Sequence, residues 1–185
     1  MNFVGELGWE LHHPIEYQNH IFDTIMTAGA EFNIKPFGIR AMDAMRLEKS
    51  YRLVGTELSI EYAALESGLH RFVHLNKGDF KGRQKLSEWQ EAGFLNTIVT
   101  LEVHDTTDAD AIGGNPIMLP DGVVIGRATS GGYGFRLDKS LALAMVRPDL
   151  AVVGTKLMID VLDQRLRATV LEESPYDPDN QRLRA

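Results

Sequence analysis

The sequence predicts an α+β protein, with a mixed α/β part up to about residue 93 and an all-β part after it. Three observations carry this reading. Apolar residues recur at helical spacing in the first 93 residues. Short alternating runs separated by Pro, Gly and Asp turn signals follow after Gly93. Hydrophobic residues make up 44% of the 185-residue chain, enough for a packed core.

The elements follow in order. Leu7, Trp9 and Leu11 alternate with Gly8 and Glu10, which predicts a half-buried strand. Pro14 suits a helix start, Ile15, Phe22, Ile25 and Met26 share one stripe, and Gly29 is its stop. A second helix is expected over 38–50, with Ile39, Met42 and Met45 as its apolar stripe and Arg46, Glu48, Lys49 and Arg52 as a charged edge. Residues 60–69 read as a short helix or an ordered loop, and 71–75 as a short strand. Asp79 is expected to cap a helix running to about Gln90, closed by Gly93. Then 95–103, 116–119, 123–129, 141–146, 156–161 and 165–171 read as strands. Turns fall at Pro120-Asp121-Gly122 and Asp163-Gln164, and Ser130-Gly131-Gly132-Tyr133-Gly134 reads as a break. Such spacing predicts a small antiparallel barrel or sandwich. The division expected is 1–93 and 94–185.

Composition excludes several classes. Without cysteine there are no disulfides, thiolate metal sites or thiol catalysis, and a reducing, cytoplasmic compartment fits. A net charge of −7 disfavours broad nucleic-acid binding. No run approaches the 18 apolar residues of a membrane span, and the N-terminus lacks signal-peptide regions. The basic end, 180–185, reads as solvated.

Glu6, set in Gly5-Glu6-Leu7-Gly8, is the first candidate for chemistry. A carboxylate in a glycine-lined turn can accept two adjacent N–H groups of a heterocycle, or it can be a solvated strand-edge residue. Arg46 either binds an anion or pairs with a carboxylate on another element; Glu48, two residues on, does not face it on a helix. His12 and His13 point to opposite sides of a strand, and Asp105, Asp108 and Asp110 lack calcium-loop spacing, so no metal site is expected. The 130–134 glycines lack the Lys-Ser/Thr of a phosphate loop, and Ser130 lacks a nucleophile elbow. His70 and His74 form no catalytic dyad. From spacing alone, no catalytic constellation stands out.

Four ordered blocks add to this reading. Val4-Gly5-Glu6-Leu7-Gly8-Trp9-Glu10-Leu11 resembles the Y-T-G-E-x-G-[FY]-E motif of the glycine-cleavage T-protein family, the folate-dependent aminomethyltransferases. Ala41-Met42-Asp43-Ala44-Met45-Arg46-Leu47-Glu48 is similar to that family's A-R-D-x-L-R-L-E block. Lys77-Gly78-Asp79-Phe80-Lys81-Gly82-Arg83 is similar to its K-x-D-F-I-G-R/K block. Thr129-Ser130-Gly131-Gly132 with Lys139-Ser140-Leu141-Ala142-Leu143-Ala144 resembles T-S-G-G…K-S-I-A-L-A. The segment 48–52 and the ending from Pro175 resemble the folate domain of sarcosine and dimethylglycine dehydrogenases. No flavin fingerprint is present.

The resemblance implies an incomplete α/β region of ferredoxin-like type, part of a folate-binding unit, followed by a C-terminal barrel. It implies tetrahydrofolate as cofactor, an amine as one-carbon donor, and Glu6 as acceptor for the pterin's amino and ring N–H groups. Phe3 stands where the family has its motif tyrosine, keeping a ring for stacking, and Met42 replaces the A-R-D arginine. The family's catalytic aspartate belongs to an N-terminal half that these 185 residues do not contain, so no catalytic residue is assigned and the isolated chain is expected to be inactive. The alternative is a non-catalytic module that binds folate or another heterocycle, or an interaction module.

Overall fold

A computed structural model describes residues 3–106 and 108–185. Three helices come first: α1 (Gln18–Ala28), α2 (Ile39–Glu48) and α3 (Arg83–Ala92). Six strands follow: β1 (Thr97–Val103), β2 (Pro116–Met118), β3 (Val124–Gly134), β4 (Lys139–Val146), β5 (Lys156–Val161) and β6 (Gln164–Leu171). They close into one antiparallel barrel in the order β1-β4-β3-β2-β5-β6, with β6 pairing back onto β1. The α+β class with a small barrel is the fold that forms, and of barrel and sandwich it is the barrel.

Alternation fills the barrel. Leu157, Ile159 and Val161 of β5 and Leu166, Ala168 and Val170 of β6 point into the same core as Val99, Leu101 and Val103 of β1. Leu157 lies opposite Ala168, and Ile159 opposite Leu166. The β5–β6 turn is tight because Leu162 and Asp163 both take positive φ, 51° and 61°, which matches strand twist. β4 departs from simple alternation, since every residue from Ser140 to Val146 is buried. Ala142, Ala144 and Val146 face the barrel core. Leu141, Leu143 and Met145 are buried outside it, on a strand that α2 packs against.

That packing inverts the expectation for α2. Ile39, at the head of the expected apolar stripe, is 76% exposed, whereas the charged end, Arg46 to Lys49, is buried. Burial here follows the contact of the helix C-terminus with β3 and β4. The charges are tolerated because partners on other elements satisfy them.

The expected break at 130–134 is also corrected, because β3 runs straight through it. Its glycines are there for clearance. A Cβ on Gly131 would collide with the carbonyl oxygen of Ala111 and lie 2.7 Å from its carbon. One on Gly134 would lie 3.0 Å from both Glu48 Cγ and Leu141 Cδ1.

Earlier in the chain, isolated strand-like runs do not become strands. Residues 7–11 form no strand, and Leu7, Trp9 and Leu11 are exposed. A strand needs a neighbour, and no described strand lies alongside. Residues 71–75 begin within a short 3-10 turn, His70–Phe72, and form no strand. Helix α3 begins at Arg83, after Gly82 at φ 91°, so Asp79 is not its cap; Gly93, at φ 84°, closes it as expected. Residues 60–69 are ordered turns tied to the start of β1. Glu66 accepts the N–H groups of Ala63 (2.9 Å) and Asn96 (3.0 Å), and its carbonyl takes Ile98 N–H at 3.0 Å. The basic tail is not simply solvated: Arg182 O accepts Leu7 N–H at 3.2 Å.

Candidate functional site

The loop that carries Glu6 is fixed from below by a buried lysine. Gly5 is at φ 73°, and its missing side chain leaves room for the aliphatic stem of Lys49. Lys49 Nζ donates to Asp177 O at 2.5 Å and to Asn180 Oδ1 at 2.9 Å, so α2 grips the C-terminal tail through the same residue. Burial pulls the Lys49 pKa below its usual value. The charges of Asp177 and Glu6 oppose that fall, while Arg136 adds to it.

Glu6 itself meets two groups from distant parts of the chain. Arg136, in the turn between β3 and β4, donates Nη1–H to Glu6 Oε1 at 2.6 Å. Tyr176, in the tail, donates its hydroxyl to the same oxygen at 2.9 Å. Arg136 is in turn held by Glu48: its backbone N–H gives a 2.6 Å bond to Oε1, and its Nε–H reaches Oε2. Nη2 reaches Met45 O at 3.2 Å and Val4 O at 3.4 Å. The guanidinium lies 3.9 Å from the centre of the Tyr176 ring, and Tyr176 N–H bonds Glu48 O at 3.0 Å. Burial opposes the charge on Arg136, but Glu48 and Tyr176 outweigh it and its pKa rises.

A second buried assembly explains the T-S-G-G block. Glu57 is fully buried in the loop after α2. Its Oε2 accepts Leu53 N–H at 2.8 Å and Thr56 Oγ1 at 2.7 Å, with Arg46 Nη1 at 3.4 Å. Its Oε1 accepts Thr129 Oγ1 at 2.5 Å and the Ser130 hydroxyl. Burial acts to raise the Glu57 pKa, but the bonds from Ser130, Thr129, Leu53 and Thr56 together hold it below the ordinary carboxylate value. Arg46 also reaches Asp43 at 2.6 Å. It is therefore an inter-element partner, and Ser130 is a capping donor to a carboxylate.

Beside these assemblies lies an open cleft of about 1170 Å³. Its lining comes from three stretches of the chain: Phe3, Leu7 and Gly8; Tyr51, Arg71 and Phe72; and Pro178, Asn180 and Leu183. The rings of Phe3 and Tyr51 are 6.5 Å apart and tilted by 30°. Phe3 thus lines the cleft. Glu6 is not among its lining residues, and its carboxylate turns to Arg136 and Tyr176 instead. Met42 is half-buried on α2. His12 pairs with Glu10 at the surface, and Asp105 with Arg167. No group of metal-binding side chains occurs among the described residues.

Arg136, Tyr176 and Glu57 were not legible as site residues. Arg136 is 130 positions from Glu6 and sits in no recognisable pattern. The T-S-G-G block marked Thr129 and Ser130 without giving their hydroxyls a role, and nothing in the sequence pointed from them to Glu57.

Comparison with known proteins accords with this architecture. Residues 1–77 match the GCVT N-terminal domain, and 96–177 match the glycine cleavage T-protein C-terminal barrel domain. The chain is 40% identical over 174 residues to mitochondrial dimethylglycine dehydrogenase of Mus musculus, covering 94% of this chain and 20% of that protein. It is 31% identical over 178 residues to an aminomethyltransferase of Thermoanaerobacter pseudethanolicus, covering 94% of this chain and 46% of that one. The fold matches the glycine cleavage system aminomethyltransferase T of Bartonella henselae with a TM-score of 0.86 at 22% identity, over 96% of this chain and 48% of the other. The chain thus spans between a fifth and a half of the length of these relatives. No described helix is long and apolar enough to cross a membrane. With both matches in order along one chain, and with a closed barrel where the second one falls, the chain belongs to the glycine-cleavage T-protein family.

Proposed function

We propose that this chain supplies the Glu6 side of a pterin pocket in a tetrahydrofolate-dependent one-carbon transferase, either an aminomethyl or methyl transferase or the folate domain of a methylated-amine dehydrogenase. The observation that carries the reading is the open cleft lined by Phe3, Leu7 and Gly8 of the loop that bears Glu6, whose carboxylate is held through Oε1 by Arg136 and Tyr176. A carboxylate is acceptor-only, so it suits the adjacent amino and ring N–H donors of a pterin. Such charge-assisted bonds are worth roughly 1.5–3 kcal/mol each. Phe3 and Tyr51 would offer apolar faces to the flat ring.

In this reading the amine donor and the groups that move its carbon lie with a partner half, and no residue of this chain is given a catalytic role. Residues 1–93 contribute to the folate region and 94–185 form the barrel unit. A cytoplasmic setting is proposed, although the dimethylglycine dehydrogenases above are named as mitochondrial.

Two measurements test this. The purified chain is expected to give no tetrahydrofolate-dependent one-carbon transfer, and robust turnover would refute the shared-pocket reading. In the product of the complete reading frame, Glu6→Gln is expected to weaken folate binding about tenfold or more. Unchanged binding would remove Glu6 from the pocket. A second reading, a non-catalytic folate or heterocycle module, is favoured by Met42 where the family has arginine. Tight folate binding with no transfer in the complete product would select it.

A further inference from the structure

Glu6 is placed by groups that come from neither its own loop nor the neighbouring helix alone. Four separate segments converge on one guanidinium: the Glu6 loop, the C-terminal end of α2, the β3–β4 turn and the tail. Each nitrogen of the Arg136 guanidinium donates to an acceptor. Nε–H goes to Glu48, Nη1–H to Glu6, and Nη2–H to the Met45 and Val4 carbonyls. A planar fork with its donors engaged on several sides has little freedom to turn. Glu48 is buried and also accepts the backbone N–H of Arg136, so the position of the fork is set by the barrel turn and α2 together. Tyr176 closes the arrangement by stacking on the fork and donating to the same Glu6 oxygen.

We infer that Arg136 and Tyr176 are positioning residues for Glu6: the barrel turn and the tail set the angle at which the Glu6 carboxylate meets the donor edge of its ligand. The inference rests on the pterin reading of Glu6 and extends it to two residues from the other end of the chain. It has a consequence that simple structural support does not. Loss of Arg136 or of the Tyr176 hydroxyl lowers selectivity for the ligand's amino group, because a carboxylate at the wrong angle takes two parallel donors poorly.

The test uses the product of the complete reading frame, titrated calorimetrically with 5-formyltetrahydrofolate and with its analogue lacking the 2-amino group. The unaltered protein should prefer the amino-bearing ligand by about tenfold or more, and Glu6→Gln should abolish that preference. Arg136→Met and Tyr176→Phe should each reduce the preference severalfold. Adding either change to Glu6→Gln should cause little further loss of preference, because they act through one group. Tyr176→Phe keeps the ring on Arg136, so it decides the matter if Arg136→Met fails to fold. If Glu6→Gln keeps the preference, the pterin reading fails, and this inference with it. If Glu6→Gln abolishes the preference while Tyr176→Phe and a folded Arg136→Met retain it, the positioning role alone is overturned. Equal weakening of both ligands by these two variants also overturns it, since that marks general structural damage.

Discussion

Gly5 lies directly on the stem of Lys49: a Cβ built on Gly5 would stand 2.7 Å from Lys49 Cδ and closer still to Cγ. The glycine before Glu6 therefore has a structural reason independent of any ligand. It combines a left-handed φ of 73° with contact against a buried side chain that also holds the tail. The expectation for Gly5→Ala is a loss of about 1–3 kcal/mol, from overpacking and backbone strain together. Thermal melting should show a fall of several degrees. Gly38→Ala is the control, because a Cβ there meets nothing within 4 Å and φ is −92°; it should change the midpoint little.

Glu57 ties the loop after α2 to β3, so Glu57→Gln should be among the more damaging single changes. An amide has one acceptor oxygen where the carboxylate has two, leaving some of the donors Leu53 N–H, Thr56, Thr129 and Ser130 unmet. About 2–4 kcal/mol is expected, read by urea unfolding at pH 7.

The same carboxyl predicts an acid limb. Its folded pKa is held below the ordinary 4.5, so the unfolded chain takes up the proton first as pH falls. The stability it contributes is fully present above 4.5 and is lost as pH falls through the lower folded value. Unfolding free energies compared between the native protein and Glu57→Gln should converge below that point. A constant gap down to pH 2 would contradict the assignment.

Lys49 has the opposite sense. Burial lowers its folded pKa below 10.5, so the unfolded state holds the proton to higher pH. Stability from this group should rise as pH climbs from the folded value to 10.5. Measured against Lys49→Met, the native protein should gain ground over that range. The variant should also free the tail, seen as faster amide exchange over 177–185, since its anchors at Asp177 O and Asn180 are lost.

Helix α1 buries none of its residues, although Phe22 and Ile25 lie on one stripe. A short helix without packing is marginal in water. Its amides are expected to exchange orders of magnitude faster than those of β4, which is buried on both faces. Protection of α1 equal to that of β4 would show that its stripe is covered in solution.

The amino-acid sequence by itself determined the β5 and β6 strands and their faces. Alternation in 156–161 and 165–171 has one solution when one face must be apolar, and the Pro120-Asp121-Gly122 turn is a local property of its own residues. Glycine stops at Gly29 and Gly93 were legible for the same reason. The sequence also marked Glu6 and the T-S-G-G block as notable, since short motifs keep their order. Tertiary structure alone decided what those residues touch. Strand formation at 7–11 and 71–75 depended on neighbours that the local pattern cannot supply. The buried, charged end of α2 contradicted its own periodicity, because contact with β3 and β4 outweighed the hydrophobic stripe. The distant partners of Glu6, Glu57 and Lys49 lie 72 to 170 positions away. An ion pair is specified by where two side chains end in space, and that position is fixed only when the barrel closes and the tail returns.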